Sequence, residues 1–388
     1  MIAETDWIIE RGLFMDIFRM LSAMGHGTGL YNFTPAHIIM LSFGLLFLYF
    51  GVVKKYEPLL LVPMGIGCIL VNIPGTGLMD PGGLLFFNYQ GIARVIYPPL
   101  IFLGVGAITD FGPLIANPST IILGAAAHLG IFIALIGAKL LGFTMAEAGA
   151  IGIIGGADGP MAIYVATKLA PHLLGPVAVA AYSYMALLPL IQPPIMKAII
   201  PLEERKIAME RMRPVSKREK IIFPIMMIII VLVLLPPIAP LISCLMLGNL
   251  LRESGVNDRM AITIGGVFLD IVTVFIAVAI GSTMSAENFA NVQTLKIVCL
   301  GLIAFCSGTA SGALFARLMC KMSGGKINPL IGSAGIAAVP MAARVSHNVG
   351  IQYNKRNNLI MHAMGPNLAG VLGTAVAGGI MLTLLGVI

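Results

Sequence analysis

The sequence predicts an all-α polytopic membrane protein whose spans are broken by glycine-rich polar segments. Three observations carry that expectation. Hydrophobic residues fill 58% of the 388 positions and charged residues only 11%, whereas a soluble domain carries about a quarter charged residues. The apolar runs are continuous, unlike the short alternating segments of a transmembrane β-barrel. Polar and glycine-rich clusters then interrupt some of those runs at Asp158 and between Asn328 and Asn367. The net charge of +7 reads as basic loops facing the cytoplasm and anionic lipid, not as a nucleic-acid surface.

Taken in order, Met1–Leu30 is unlike a secretory signal, because Glu4, Asp6 and Glu10 stand where a basic region belongs. Within residues 1–32, Trp7–Met24 places apolar side chains at near-helical spacing, as in an amphipathic helix lying in the membrane interface. Runs long enough to approach the ~20 residues of a span follow at Ala36–Val53, Leu59–Ile73, Ile121–Leu141, Pro176–Ile200, Ile221–Leu241, Ala261–Ile280, Ile297–Phe315 and Leu359–Ile388. Interrupted runs cover Val95–Ile108, Ala148–Ala166 and Pro329–Val345. Together they make about ten or eleven membrane elements.

The stretch Pro201–Lys220 holds seven Lys or Arg and four Glu. By the positive-inside rule it is a cytoplasmic loop, and it divides the chain into halves at 33–200 and 221–388. A repeat is visible between them. Ile154-Gly155-Gly156-Ala157 precedes Pro160-Met161-Ala162 in the first half, and Ile331-Gly332-Ser333-Ala334 precedes Pro340-Met341-Ala342 in the second. Matched broken segments in two halves point to a transporter's central site.

Backbone that is not helical survives at membrane depth only where it lines an enclosed cavity. Gly152 to Pro160 crowds four glycines and a proline around Asp158. Free carbonyls and half-helix ends around a carboxylate suit a small hard cation, and a bound sodium ion or proton offsets the ~3 kcal/mol cost of the buried charge. The simpler reading is a tight turn at the membrane edge with a solvated aspartate. In the second half, the amide oxygens of Asn328 and Asn367 are neutral cation ligands, and Ser333 adds a hydroxyl. Arg344 stands in an otherwise apolar segment, where a guanidinium invites a carboxylate ligand or snorkels to a headgroup. Asp270 is expected to pair with a basic residue of another helix, Asp110 to end a helix and His128 to bond between helices. Lys139 and Lys168 are expected to snorkel. The five cysteines show no CxxC or CxxH spacing and read as buried, unreactive thiols. There is no Walker, GxSxG, HExxH or strand-linked GxGxxG motif.

Joined together, Gly155-Gly156-Ala157-Asp158-Gly159-Pro160, Asn328-Pro329-Leu330-Ile331-Gly332 and His362-Ala363-Met364-Gly365-Pro366-Asn367 resemble one family. It is the β subunit of the sodium-translocating, biotin-dependent decarboxylases of oxaloacetate, methylmalonyl-CoA or glutaconyl-CoA, and the resemblance runs from about residue 35 to the C-terminus. It implies an elevator-transporter-like arrangement of two inverted repeats and a homotrimer. It also implies carboxyltransferase and biotin-carrier partners together with a small membrane subunit. Such a subunit decarboxylates carboxybiotin, consumes a proton and exports Na+. The resemblance puts the sodium-binding aspartate at Asp158, the functional tyrosine at Tyr184, the asparagines at Asn328 and Asn367, the glycine at Gly332 and the arginine at Arg344. A serine of some members falls on Ala337, which removes a hydroxyl ligand from that position and leaves open whether Ser333 replaces it. The short segment ahead of the first span leans toward a CoA-thioester substrate. A stand-alone sodium- or proton-coupled carboxylate transporter uses the same parts and is the alternative.

Overall fold

The computed structural model describes residues 32–289 and 291–385, and among them every regular element is helical, with no strand. The interfacial helix expected within residues 1–32 lies almost wholly outside the described residues. Five helices are long and apolar enough to cross a membrane, and two bent pairs raise the number to as many as seven.

The first span, α1 (Pro35–Val53), opens on a reciprocal cap between Thr34 and His37 and returns through α2 (Pro58–Val71). Next, α3 (Leu84–Ala93) and α4 (Tyr97–Ile108) meet at 69°, where Pro98 and Pro99 supply no amide hydrogens to continue the first helix. The span α5 (Thr120–Leu140) is followed by α6 (Met145–Gly152) and α7 (Gly159–Leu169). The run expected as one span over Pro176–Ile200 is two helices, α8 (Leu174–Ala186) and α9 (Leu188–Ile199). They bend by 66° at Leu187, just before Pro189.

After the basic loop, α10 (Lys217–Leu234) starts on a Ser216–Glu219 capping box and stops before Pro236-Pro237. The run expected to continue to Leu241 therefore breaks, and a further helix, α11 (Ala239–Ser254), follows. Then come α12 (Asp258–Ser282) and the long α13 (Val292–Met322). The broken segment Pro329–Gly335 is a tight helical turn leading to α14 (Met341–Tyr353), and α15 (Ile360–Leu384) completes the described chain.

Small residues set the spacing of this bundle, as membrane packing favours. A β-carbon on Gly332 would sit 2.1 Å from the carbonyl oxygen of Gly312 on α13, and one on Gly312 would sit 2.2 Å from the oxygen of Gly332. Only two glycines allow that approach.

Two hairpins stand out. The limbs of the first, α6 and α7, are tied at their outer ends by Glu147 and His172, 2.8 Å apart. There the Thr144 amide and the His172 ring hold the Glu147 carboxyl below its ordinary value. The second runs from Asn328 to Tyr353, and its outer ends are tied to the basic loop. Asn328 Nδ2 donates to the carbonyls of Arg205 (3.0 Å) and Ile207 (2.8 Å), and Asn354 Nδ2 donates to that of Lys206 (2.9 Å). Helix α13 measures the distance between these two regions. Its start at Asn291 lines one large cavity together with His172, whereas Arg317, near its end, pairs with Glu204 of the basic loop at 2.9 Å. Its 31 residues span roughly 46 Å, so the hairpins enter from opposite ends of the bundle.

Candidate functional site

The hairpin tips meet inside the bundle. The amide of Ala337 donates to the carbonyl of Gly156 at 2.9 Å. The first limb reaches this depth with eight α-helical and four 3-10 residues. At about 1.5–2 Å per residue it rises roughly 20 Å, over half of a ~30 Å hydrocarbon core. Ala157 turns the chain with a left-handed φ of 55°, and Asp158 caps the returning helix by accepting from the Met161 amide at 3.0 Å. This explains the tip chemically: the carboxylate faces the positive end of α7 and satisfies a backbone group that lipid would leave bare. Its other oxygen has no hydrogen bond among the described residues.

Asp158 is buried, at 5% exposure, and lines a cavity of about 330 Å³ with Glu57, Tyr182, Asp270, Ala337 and Arg344. The wall extends from Asp158 at the tip to Glu57, between α1 and α2, and Ile108, at the basic-loop end of α4. Burial pushes the Glu57 carboxyl up, while the guanidinium of Arg344 pulls the other way. Arg344 itself makes no ion pair among the described residues. Arg344 is exposed at the open side of this cavity, and an unpaired guanidinium there is suited to receive an anion. Asp270 likewise has no ion pair among the described residues and belongs to the cavity wall instead of pairing with a basic residue elsewhere.

Other predicted site residues lie around this cavity rather than in it. Asn367 on α15 donates to the carbonyls of Ala334 (3.1 Å) and Ile336 (2.7 Å), securing the second tip. Its Oδ1 is buried without a hydrogen-bond partner among the described residues and can accept from a donor or a cation. Ser333 donates to the Leu330 carbonyl at 2.7 Å and meets the Ser346 hydroxyl at 3.0 Å. Asn328 caps its own turn through the Leu330 amide at 3.0 Å, near the basic loop. Gly332 packs on α13, as described above. The hydroxyl of Tyr184 donates to the carbonyl of Val298 on α13.

Away from the cavity, His128 interrupts α5 and bonds between helices, with Nε2 at 3.0 Å from the Gly370 carbonyl and 2.9 Å from Thr374 Oγ1. Asp110 follows the end of α4 and pairs with Lys220 at 2.7 Å. Cys68 and Cys320 are buried, but Cys299 is exposed on α13, so burial does not extend to every thiol.

Asp158 and Arg344, brought to one cavity by broken hairpins in a helical membrane bundle, form the kind of architecture found in ion-coupled membrane proteins. Sequence comparison identifies the kind. The family described as the Na+-transporting oxaloacetate decarboxylase beta subunit matches residues 36–385. Glutaconyl-CoA decarboxylase subunit beta of Acidaminococcus fermentans is 56% identical over 373 residues, covering 96% of this chain and 100% of that one. Methylmalonyl-CoA decarboxylase subunit beta of Veillonella parvula is 58% identical over 358 residues, covering 92% and 95%. Oxaloacetate decarboxylase beta chain of Klebsiella pneumoniae is 48% identical over 424 aligned residues, covering 93% and 98%. The chain belongs to this family of decarboxylase beta subunits. It is the membrane subunit of a sodium-pumping decarboxylase, not a stand-alone carboxylate transporter.

Proposed function

We propose that this subunit decarboxylates carboxybiotin carried by a partner and couples the loss of CO2 to sodium export. The supporting observation is the cavity shared by Asp158 and Arg344. In this reading Arg344 holds the carboxylate of carboxybiotin. The C–N bond breaks, CO2 leaves, and the biotin nitrogen takes a proton, with Tyr184 assisting the proton's passage. Sodium binds at Asp158 and Asn367, whose free oxygens support the assignment. Asn328, Gly332 and Ser333, the remaining residues of the expected sodium set, act in this reading by holding the second hairpin against the basic loop, α13 and α14.

Residues 33–200 and 221–388 are proposed as two inverted repeats, supported by hairpins that enter from opposite ends and share a tip contact. The loop at 201–220 is proposed to face the cytoplasm. The cavity wall reaches toward that end at Glu57 and Ile108, where a carrier domain delivers its load. The working assembly is a homotrimer with carboxyltransferase, biotin-carrier and small membrane subunits, moving as an elevator does. Ion binding and decarboxylation then favour different states of one moving element. The higher identity to CoA-thioester decarboxylase subunits than to the oxaloacetate one, 56% and 58% against 48%, supports a CoA-thioester substrate.

Affinity purification of the tagged chain from its native membrane tests this reading. A biotinylated protein should co-elute, and decarboxylation should be lost when avidin masks the biotin. A preparation that transports sodium with no biotinylated partner and is insensitive to avidin would contradict it.

A further inference from the structure

Two tyrosines sit two positions apart on α8, and their hydroxyls have different fates. Residues so spaced face different sides of a helix. Tyr184 turns to α13 and spends its hydroxyl on the Val298 carbonyl. Tyr182 turns to the first hairpin tip. Its ring lies so close to Gly159 that a β-carbon there would fall 2.4 Å from Cε2 and 2.6 Å from Cζ. Gly159 follows Asp158 directly, so the phenol is seated against the carboxylate's own turn. Tyr182 and Asp158 line the same cavity. Tyr182 is 2% exposed, and its hydroxyl oxygen is buried with no hydrogen-bond partner among the described residues.

Nearly all buried hydroxyls are satisfied, and an exception calls for an explanation. The other unpartnered buried oxygens, on Gln192, Asn249, Thr294, Thr309 and Asn367, belong to residues outside the cavity wall. Among the described residues, only Tyr182 combines an unpaired hydroxyl with a place in the wall beside the carboxylate. Small hard cations bind through several oxygens with limited charge, and a neutral phenol oxygen beside the Asp158 carboxylate meets that need.

We infer that Tyr182 supplies the neutral hydroxyl of the Asp158 sodium site, its oxygen binding the ion beside the carboxylate. This rests on the reading of Asp158 given above. The role is distinct from that of Tyr184, whose hydroxyl is bonded elsewhere.

The test uses the intact decarboxylase complex and three variants: Tyr182→Phe, Asp158→Asn and Tyr164→Phe. Tyr164 is a control because its hydroxyl donates to the Pro237 carbonyl, away from the cavity. The sodium concentration giving half-maximal decarboxylation should rise about tenfold in Tyr182→Phe and stay at the wild-type value in Tyr164→Phe. In the unmutated complex, sodium should also shield Tyr182 from nitration by tetranitromethane, read by mass spectrometry, and the shielding should vanish in Asp158→Asn. This second readout decides the matter if Tyr182→Phe fails to assemble. Unchanged sodium dependence in Tyr182→Phe, or nitration of Tyr182 unaffected by sodium, overturns the inference while loss of activity in Asp158→Asn leaves the Asp158 reading standing. Full sodium-dependent activity in Asp158→Asn removes the underlying reading itself.

Discussion

The amide of Ala337 donates to the carbonyl of Gly156 at 2.9 Å, so one backbone hydrogen bond joins the two hairpin tips across half the chain. It brings Ala337 into the wall of the Asp158 cavity, where a methyl group stands in place of any polar side chain.

Ala337→Ser would put a hydroxyl into that wall beside the proposed ion site. One added neutral ligand of hydrogen-bond strength, ~0.5–1.5 kcal/mol, corresponds to about a two- to twelvefold change in affinity. The sodium concentration for half-maximal decarboxylation should fall by such a factor, with maximal rate little changed. Steady-state assays over a sodium series check this.

Arg344→Lys keeps the charge but loses the planar fork that grips a carboxylate. Charge-assisted hydrogen bonds contribute ~1.5–3 kcal/mol each, so carboxybiotin decarboxylation should slow by roughly 10- to 100-fold. Arg344→Gln should be worse. The sodium dependence of the residual activity should remain near wild type, which separates the anion subsite from the cation subsite.

The Gly312–Gly332 contact sets how closely the second hairpin lies on α13. A β-carbon on Gly312 would meet the Gly332 oxygen at 2.2 Å, and such overpacking costs ~1–3 kcal/mol. Gly312→Ala should lower the thermal unfolding temperature in detergent. Gly266→Ala, at a position with nothing within 4 Å, should not.

Asp110 provides the pH prediction. Burial raises its carboxyl, but hydrogen bonds from the Lys220 ammonium and the Gly112 amide outweigh burial and hold it below the ordinary value. A carboxyl with a lowered folded-state pKa adds stability that is complete above its unfolded value, near 3.8, and disappears as pH falls through the lower folded value. Asp110→Asn should therefore unfold more easily than wild type at neutral pH, by about 1 kcal/mol for a pair near the surface. The difference should close as pH drops below about 4, as thermal scans across pH would report.

The spans were legible because hydrocarbon demands long apolar runs, and the hairpins because glycine, proline and a carboxylate do not belong in one. Helix α11 escaped notice for the converse reason. Asn249, Arg252 and Glu253 break its hydropathy, yet each has a tertiary partner. Asn249 donates to the Thr109 carbonyl at 2.7 Å, Arg252 donates to the Ile108 carbonyl, and Glu253 lies 3.7 Å from Lys220. Such pairings between distant segments leave no local pattern.

The same limit applies to the site. Asp158 and Arg344 announce themselves as isolated charges. Which of two tyrosines faces the cavity depends on how α8 rotates against Gly159 and Gly301, and no periodicity in Tyr182-Ser183-Tyr184 reveals it. The amide and hydroxyl groups of Asn328 and Ser333 are written in the sequence as possible ligands, but their hydrogen bonds to the basic loop and to Ser346 exist only in the fold.

The most direct test of the central claim is sodium uptake by inside-out proteoliposomes holding the intact complex with Asp158→Asn, followed with radioactive sodium during decarboxylation. The Asp158→Asn complex should assemble with its partners and accumulate no sodium. Accumulation at the wild-type rate and sodium affinity would contradict that claim.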